Sequence, residues 1–133
     1  MRYLPTVTIV LYLLACPGTS LGASWKQLGN TLFVDENTVR QEGNIVSLFA
    51  KIYYTPEQIK MSQESSKKKK KPQYIIVRDV FNCKERKVTA PSWTEYSSKG
   101  DPVESYSNQY KAPEDILPDS IAEALFEYAC SLR

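Results

Sequence analysis

Apolar residues recur at every second position through residues 45–55, and that spacing sets the kind of fold this chain can reach. Val46, Leu48, Ala50, Ile52 and Tyr54 share one parity. Ser47, Lys51 and Tyr53 hold the other, with Ile45 and Phe49 as apolar exceptions. A period of two is a strand with one face in a core and the other partly wet. Residues 73–83 repeat the pattern. Ile75, Val77, Phe81 and Cys83 fall on one parity, with Asp79 an exception, and Tyr74, Ile76, Arg78 and Val80 on the other. Two such strands must share an apolar cover on one side.

Shorter strands surround these two. Residues 25–28 and 31–35 flank the turn pair Gly29-Asn30, Asp35-Glu36-Asn37 is a polar turn, and 39–41 is extended. Gly43-Asn44 turns the chain into the first long strand. After Lys84-Glu85, residues 86–90 return, and 93–97 continue them past an irregularity at Pro91. Lys99-Gly100-Asp101-Pro102 is a strong turn before a weaker strand at 103–107. Residues 56–72 read as a flexible loop, polar at 62–66 and then self-repelling through its lysines.

Near the C-terminus the period changes. Pro113 and Pro118 hold residues 111–118 irregular, and Ser120 with Glu123 forms a capping box. Ala122, Leu125, Phe126 and Ala129 then make a helical stripe, with Cys130 one turn beyond Phe126. The only large apolar surface available to that stripe is the sheet. The expected fold is α+β: an antiparallel sheet of about six strands with a C-terminal helix packed on one face.

The N-terminus belongs to a different problem. Arg2 is the only charge before Lys26, residues 6–16 are rich in apolar side chains, and Pro17-Gly18 ends the run. A positive start, a short apolar core and the small residues Ser20, Gly22 and Ala23 form an export signal over residues 1–22. The run falls short of the roughly 20 residues a bilayer span needs. The other reading is a buried N-terminal strand or helix. Two cuts are open. Cleavage before Ala23 would release a domain of residues 23–133. Leu13-Leu14-Ala15-Cys16 resembles a lipobox, whose use would leave Cys16 lipidated and the domain tethered to a membrane.

Charge and cysteines narrow the mature domain further. The whole chain carries 17 basic and 15 acidic residues. Without Arg2, and setting aside Lys67, Lys68, Lys69, Lys70 and Lys71, the balance is 11 basic to 15 acidic, a net of −4. The basic pI therefore describes one segment, which argues against a nucleic-acid-binding surface. Of three cysteines, Cys16 is either discarded or lipidated. Cys83 and Cys130 remain as one pair in an oxidising compartment, where their bridge would tether the helix to the end of a strand; the other reading is two buried free thiols. Closing a loop of about 48 residues is worth roughly 4 kcal/mol in the chain-entropy account.

The ordered set of features resembles a known family. It comprises the exported start, Trp25 opening the mature domain, Leu32-Phe33-Val34-Asp35 leading to Val39, and Gly43-Asn44-Ile45-Val46. It continues with Asn82-Cys83 followed by Lys84-Glu85-Arg86, and with Pro118-Asp119-Ser120 ahead of the helix that carries Cys130. This layout is similar to the surface-adhesin protein E-like domain of Gram-negative bacteria, across nearly the whole of residues 25–130. The resemblance implies a sheet with a disulfide-tethered helix, a periplasmic or outer-surface location, and host matrix proteins among the partners. The lysine-rich segment departs from the family pattern.

The chemistry points away from catalysis. With no histidine in the chain, a Ser-His-Asp or Cys-His arrangement cannot be built. A zinc site would have to take the two cysteines, and no glycine loop cradles a phosphate, so the sequence calls for no cofactor. The carboxylate pairs Asp35-Glu36 and Glu114-Asp115 fall in turns and loops and read as solvated. The reading is a non-enzyme.

Lysines 67–71 admit two roles: a contact for anionic lipid, lipopolysaccharide or sulfated glycan, or a solvated loop that keeps a sheet edge soluble. Tyr53, Tyr54, Tyr74, Tyr96, Tyr106, Tyr110 and Tyr128 suit either a binding surface or an ordinary half-wet sheet. Two functions follow: a binding module for host or envelope macromolecules, or a structural accessory protein of the periplasm. Neither involves nucleic acid, a membrane enters only through a lipidated Cys16, and homodimer formation is open. Intact mass of the exported product should place its first residue at Ala23 or at lipidated Cys16; a product still starting at Met1 contradicts both cuts.

Overall fold

The computed structural model describes residues 22–65 and 70–132. Eight strands form one antiparallel sheet: β1 (Trp25–Gln27), β2 (Leu32–Asp35), β3 (Arg40–Glu42), β4 (Ile45–Tyr53), β5 (Pro72–Asn82), β6 (Lys87–Ser97), β7 (Pro102–Ser107) and β8 (Glu114–Asp115). Among the described residues there are two α-helices, α1 (Pro56–Ser65) and α2 (Ile121–Ser131), and a short 3-10 helix at Glu36–Thr38. The main path across the sheet is β1-β2-β4-β5-β6-β7, a six-strand meander. β2 and β3 share one edge of β4, and β7 and β8 share one edge of β6. The α+β fold expected from the periodicities is the fold observed.

The period-two pattern explains the sheet. Val46, Leu48 and Ala50 of β4 are buried, as are Val77 and Phe81 of β5, and the register pairs Val46 with Phe81 and Ala50 with Val77. Gly43, at φ +60°, makes the tight connection from β3 to β4 in a conformation that only glycine adopts without cost. Pro91 does not end β6. The register slips there, so that Ala90 and Pro91 lie opposite Asp79 while Arg78 pairs with Ser92 and Val80 with Thr89. A bulge is where a strand accommodates a proline.

Helix α2 covers this core. The Ser120 side chain accepts from the Glu123 N–H at 3.1 Å, and the Glu123 carboxylate accepts from the Asp119 N–H at 3.3 Å. The box thus reaches back one residue further than its usual form. Leu125, Phe126 and Ala129 are buried, and Phe126 meets Phe81 edge-on at 6.1 Å. Full burial of a Leu or Phe side chain is worth roughly 1.5–3 kcal/mol each. The Cys83–Cys130 disulfide joins the end of β5 to the last turn of α2, with Cα atoms 5.7 Å apart. At the sheet margin Lys26 lies 5.4 Å from the Tyr128 ring centroid and 3.9 Å from the Glu36 carboxylate.

Residues 56–65 are helical, which corrects the loop expected over 56–72. The local signal is a second capping box. Thr55 Oγ1 accepts from the Gln58 N–H at 3.2 Å, and Gln58 Oε1 accepts from the Thr55 N–H at 2.9 Å. Pro56 follows at the first helical position, where its missing N–H costs nothing. Ile59 is buried and anchors α1 on the sheet face that also carries α2, beside Tyr54 and Glu95. The segment expected to be irregular before α2 contributes β8, which pairs with Lys87 and Val88.

Two carboxylates on the helix side break the apolar rule, Asp79 and Glu95. Asp79 is buried on the helix side. Burial pushes its carboxyl up to about 7, opposed only in part by the charge of Lys111.

Two predictions follow from this packing. Reducing the bridge, or substituting Cys130→Ser, should lower stability by roughly 2–5 kcal/mol. The loss should appear as faster amide exchange over residues 119–132; free thiols at both positions in native peptide maps would contradict the bridge. For Asp79, the folded carboxyl holds its proton up to about pH 7, whereas an unfolded one releases it near pH 4. Stability therefore falls as pH rises between these values and stays reduced above them. Asp79→Asn should raise stability at pH 8 by roughly 2–4 kcal/mol and change little near pH 4. A variant less stable than the parent at pH 8, by thermal melting, would refute this.

Candidate functional site

Both helices pack on the same side of the sheet, so the opposite face has no covering layer among the described residues. Pairing brings onto it Phe33 of β2, Lys51 and Tyr53 of β4, Tyr74 and Arg78 of β5, and Tyr96 of β6. Tyr53 is paired with Tyr74, and Tyr74 with Tyr96, so three tyrosines stand side by side on three adjacent strands. Their rings touch: Tyr53 to Tyr74 at 5.4 Å between centroids, Tyr74 to Tyr96 at 5.2 Å and nearly parallel. Phe33 extends the row edge-on to Tyr53 at 5.7 Å. Such pairs contribute up to about 1 kcal/mol each to a sheet. Tyrosine has the two properties this face needs, an apolar body to pave the strands and a hydroxyl for water or a ligand.

Lys51 is embedded in the row. Its Nζ lies 4.3 Å from the Trp25 ring centroid, 5.3 Å from that of Tyr74 and 5.9 Å from that of Tyr53. Ring quadrupoles stabilise the ammonium without neutralising it. Burial, then the neighbouring phenols of Tyr53 and Tyr96, push the Tyr74 hydroxyl above its ordinary value. It therefore remains a neutral donor and acceptor at physiological pH.

Along the central strands charge is sorted between the two faces. The central strands β4, β5 and β6 hold only two carboxylates, Asp79 and Glu95, and both are buried on the helix side. Lys51 and Arg78 point the other way, and Arg40 of β3, paired with Ser47, joins them. Arg40 and Arg78 border a cleft of about 280 Å³ floored by Ser47 and Phe49. Arg40 Nη1 donates to the Asn37 and Val39 carbonyls at 3.0 and 2.9 Å, which anchors one side of its guanidinium.

The residues singled out in the sequence distribute unevenly over this surface. Cys83 and Cys130 clamp α2 and take no part in it. Lys70 and Lys71 border an open hollow with Ser97 and Lys99 beyond the Tyr74–Tyr96 end of the row, and Lys70 pairs with Asp101 at 3.4 Å. Cys16, Lys67, Lys68 and Lys69 lie outside the described residues. Asp35 is buried and caps the following turn, accepting from the Ser24 and Asn37 N–H groups, while Asp115 pairs with Lys87 at 2.8 Å. Neither carboxylate pair forms a dyad. Tyr106 stacks on Trp93 on the helix side, and Tyr128 lies on α2. The row of Tyr53, Tyr74 and Tyr96 and the cations beside it escape a linear reading, because only strand register makes them neighbours.

The comparisons with known proteins agree with this architecture. Solved structures of Haemophilus influenzae protein E are similar to this chain. One has a TM-score of 0.54 at 14% identity, covering 87% of this chain and 90% of that one. A second crystal form has a TM-score of 0.56 at 12% identity, covering 87% and 94%. Protein E from a non-typeable strain has a TM-score of 0.51 at 15% identity, covering 86% and 80%. At these identities the likeness shows the fold. No curated protein matches the chain in sequence. The sequence profile of surface-adhesin protein E matches residues 19–131. The chain belongs to the surface-adhesin protein E family.

Proposed function

We propose that this chain is an exported binding module of the Gram-negative envelope, engaging host or envelope macromolecules through the helix-free face of its sheet. Family membership supports an adhesin-like surface protein. The observation that carries the finer reading is the row of Phe33, Tyr53, Tyr74 and Tyr96 with Lys51 set into it. Aromatic side chains and cations are the residue types that concentrate binding energy at protein surfaces. The sequence has no histidine, so a Ser-His-Asp or Cys-His arrangement cannot be built from it. Residues 1–22 supply export, and host matrix proteins are the partners to test first.

Lysines 67–71 act in this proposal as an accessory contact to anionic surfaces. The pair Lys70–Asp101 is exposed, and such pairs often add nothing measurable to stability. Replacing the five lysines with a Gly/Ser linker should therefore leave the melting temperature within about 1 °C. It should also weaken binding to anionic vesicles, most at low salt. A drop of several degrees would show that the segment packs on the domain.

The direct test is adherence. Non-adherent bacteria displaying the chain should bind matrix-coated surfaces above a vector control. Arg78→Glu should reduce that binding, whereas Lys84→Glu, on the exposed turn between β5 and β6, should not. Adherence no higher than the vector control overturns the reading.

A further inference from the structure

The helix-free face shows a charge pattern more specific than general adhesion requires. We infer that it is a site for a sulfated or uronate-bearing glycan, with one anionic group seated between Arg40 and Arg78 and another beside Lys51. This rests on the reading of that face as the binding surface. Guanidinium forks match sulfate and carboxylate oxygens two at a time. Arg40 spends Nη1 on two backbone carbonyls, and the rest of its guanidinium faces the same cleft as Arg78. Among the described residues no carboxylate pairs with Arg40, Arg78 or Lys51. Among the described residues the three cations thus have no carboxylate counterion, with Arg40 exposed and Lys51 and Arg78 half-buried.

The arrangement suits a polymer with repeated charge. Arg78 is paired with Phe49, and Lys51, two residues further along the same strand, is paired with Ile76. The two cations therefore stand diagonally on adjoining strands. Lys70, Lys71 and Lys99 continue positive charge beyond the tyrosine row. A chain of sugars carrying anionic groups can follow this line, and its hydroxyls can meet the phenols of Tyr53, Tyr74 and Tyr96.

Ring geometry separates this ligand from single-stranded nucleic acid. Base stacking needs exposed ring faces. Here Tyr74 and Tyr96 lie on one another at an interplanar angle of 15°, and Lys51 covers Trp25. The rings offer edges and hydroxyls in their place. Anionic lipid fits less well, because most of the exposed non-aromatic apolar residues, Met61, Leu117, Ile121 and Leu132, lie on or beside the helices, and of those in the described residues Ile45 alone lies on the helix-free face.

The test uses the full exported chain and a heparin-derived octasaccharide, with its desulfated counterpart, an oligo-dT strand and phosphatidylglycerol vesicles for comparison. The sulfated octasaccharide should bind most tightly, with affinity falling as salt rises. Arg40→Ser combined with Arg78→Ser should weaken it at least about tenfold, with Lys84→Gln as the unaffected control. If the double variant melts early, phenylglyoxal labelling of the unaltered protein decides: the octasaccharide should protect Arg40 and Arg78. No protection, tighter binding of oligo-dT or of vesicles, or loss of binding only on replacing lysines 67–71, overturns the assignment. So does a dimer in solution that buries this face and excludes the octasaccharide. Adherence that persists in excess octasaccharide overturns the glycan assignment while leaving the adhesive reading intact; adherence no higher than the vector control overturns the adhesive reading instead.

Discussion

Docking of one short helix on one side of the sheet is the constraint from which the rest of the structure follows. α2 is about three turns long, a length that is marginal for an isolated helix. Its stability comes from burying Leu125, Phe126 and Ala129 against Val46, Leu48 and Phe81. The Cys83–Cys130 bridge holds the two surfaces in register across a sequence separation of 47. The same bridge lowers the entropy of the unfolded chain, which matters for a domain of this size. With the core placed between sheet and helix, each strand must keep its parity, since a slip of one residue would turn its apolar set toward water.

Covering one face leaves the other to be stabilised from within. Cross-strand contacts among Phe33, Tyr53, Tyr74 and Tyr96 do this without a second layer. Apolar bodies shield the backbone while hydroxyls and cations keep the surface wet, so the proposed binding would draw on the side chains that stabilise the sheet. The sorting of charge follows the same division of faces. Within β4, β5 and β6 the open face carries cations alone, and Glu42 of β3, paired with Ile45, is a carboxylate at its margin. The carboxylates of the central strands, Asp79 and Glu95, are found on the helix side instead.

Asp79 shows the cost of that arrangement. A carboxyl beside Leu48 and Phe81 is a local exception in an apolar core, and it lies where β6 bulges around Pro91. Desolvation raises its pKa to about 7, so the group is largely neutral in mildly acid surroundings and increasingly charged above neutrality. The position ties the stability of the domain to pH through one side chain.

Local periodicity and capping determined much of this protein before any tertiary contact is considered. The period of two over residues 45–55 and 73–83 set the core parity, the stripe ending near Cys130 set α2, and the two cysteines after residue 22 left one possible bridge. Each is a property of neighbours in sequence, so a linear pattern carries it. The box Thr55-Pro56-Glu57-Gln58 carried an equally local signal for α1, outweighed in a linear reading by the polarity and lysines that follow. The open face is a different kind of object. Phe33, Tyr53, Tyr74 and Tyr96 come from four strands, and Arg40 and Arg78 are 38 positions apart in the chain. Net composition suggested no basic surface, because acidic residues elsewhere cancel these cations in a sum. Only register and the choice of which face the helices cover could separate them, since surface charge depends on where a side chain points as well as on its sign.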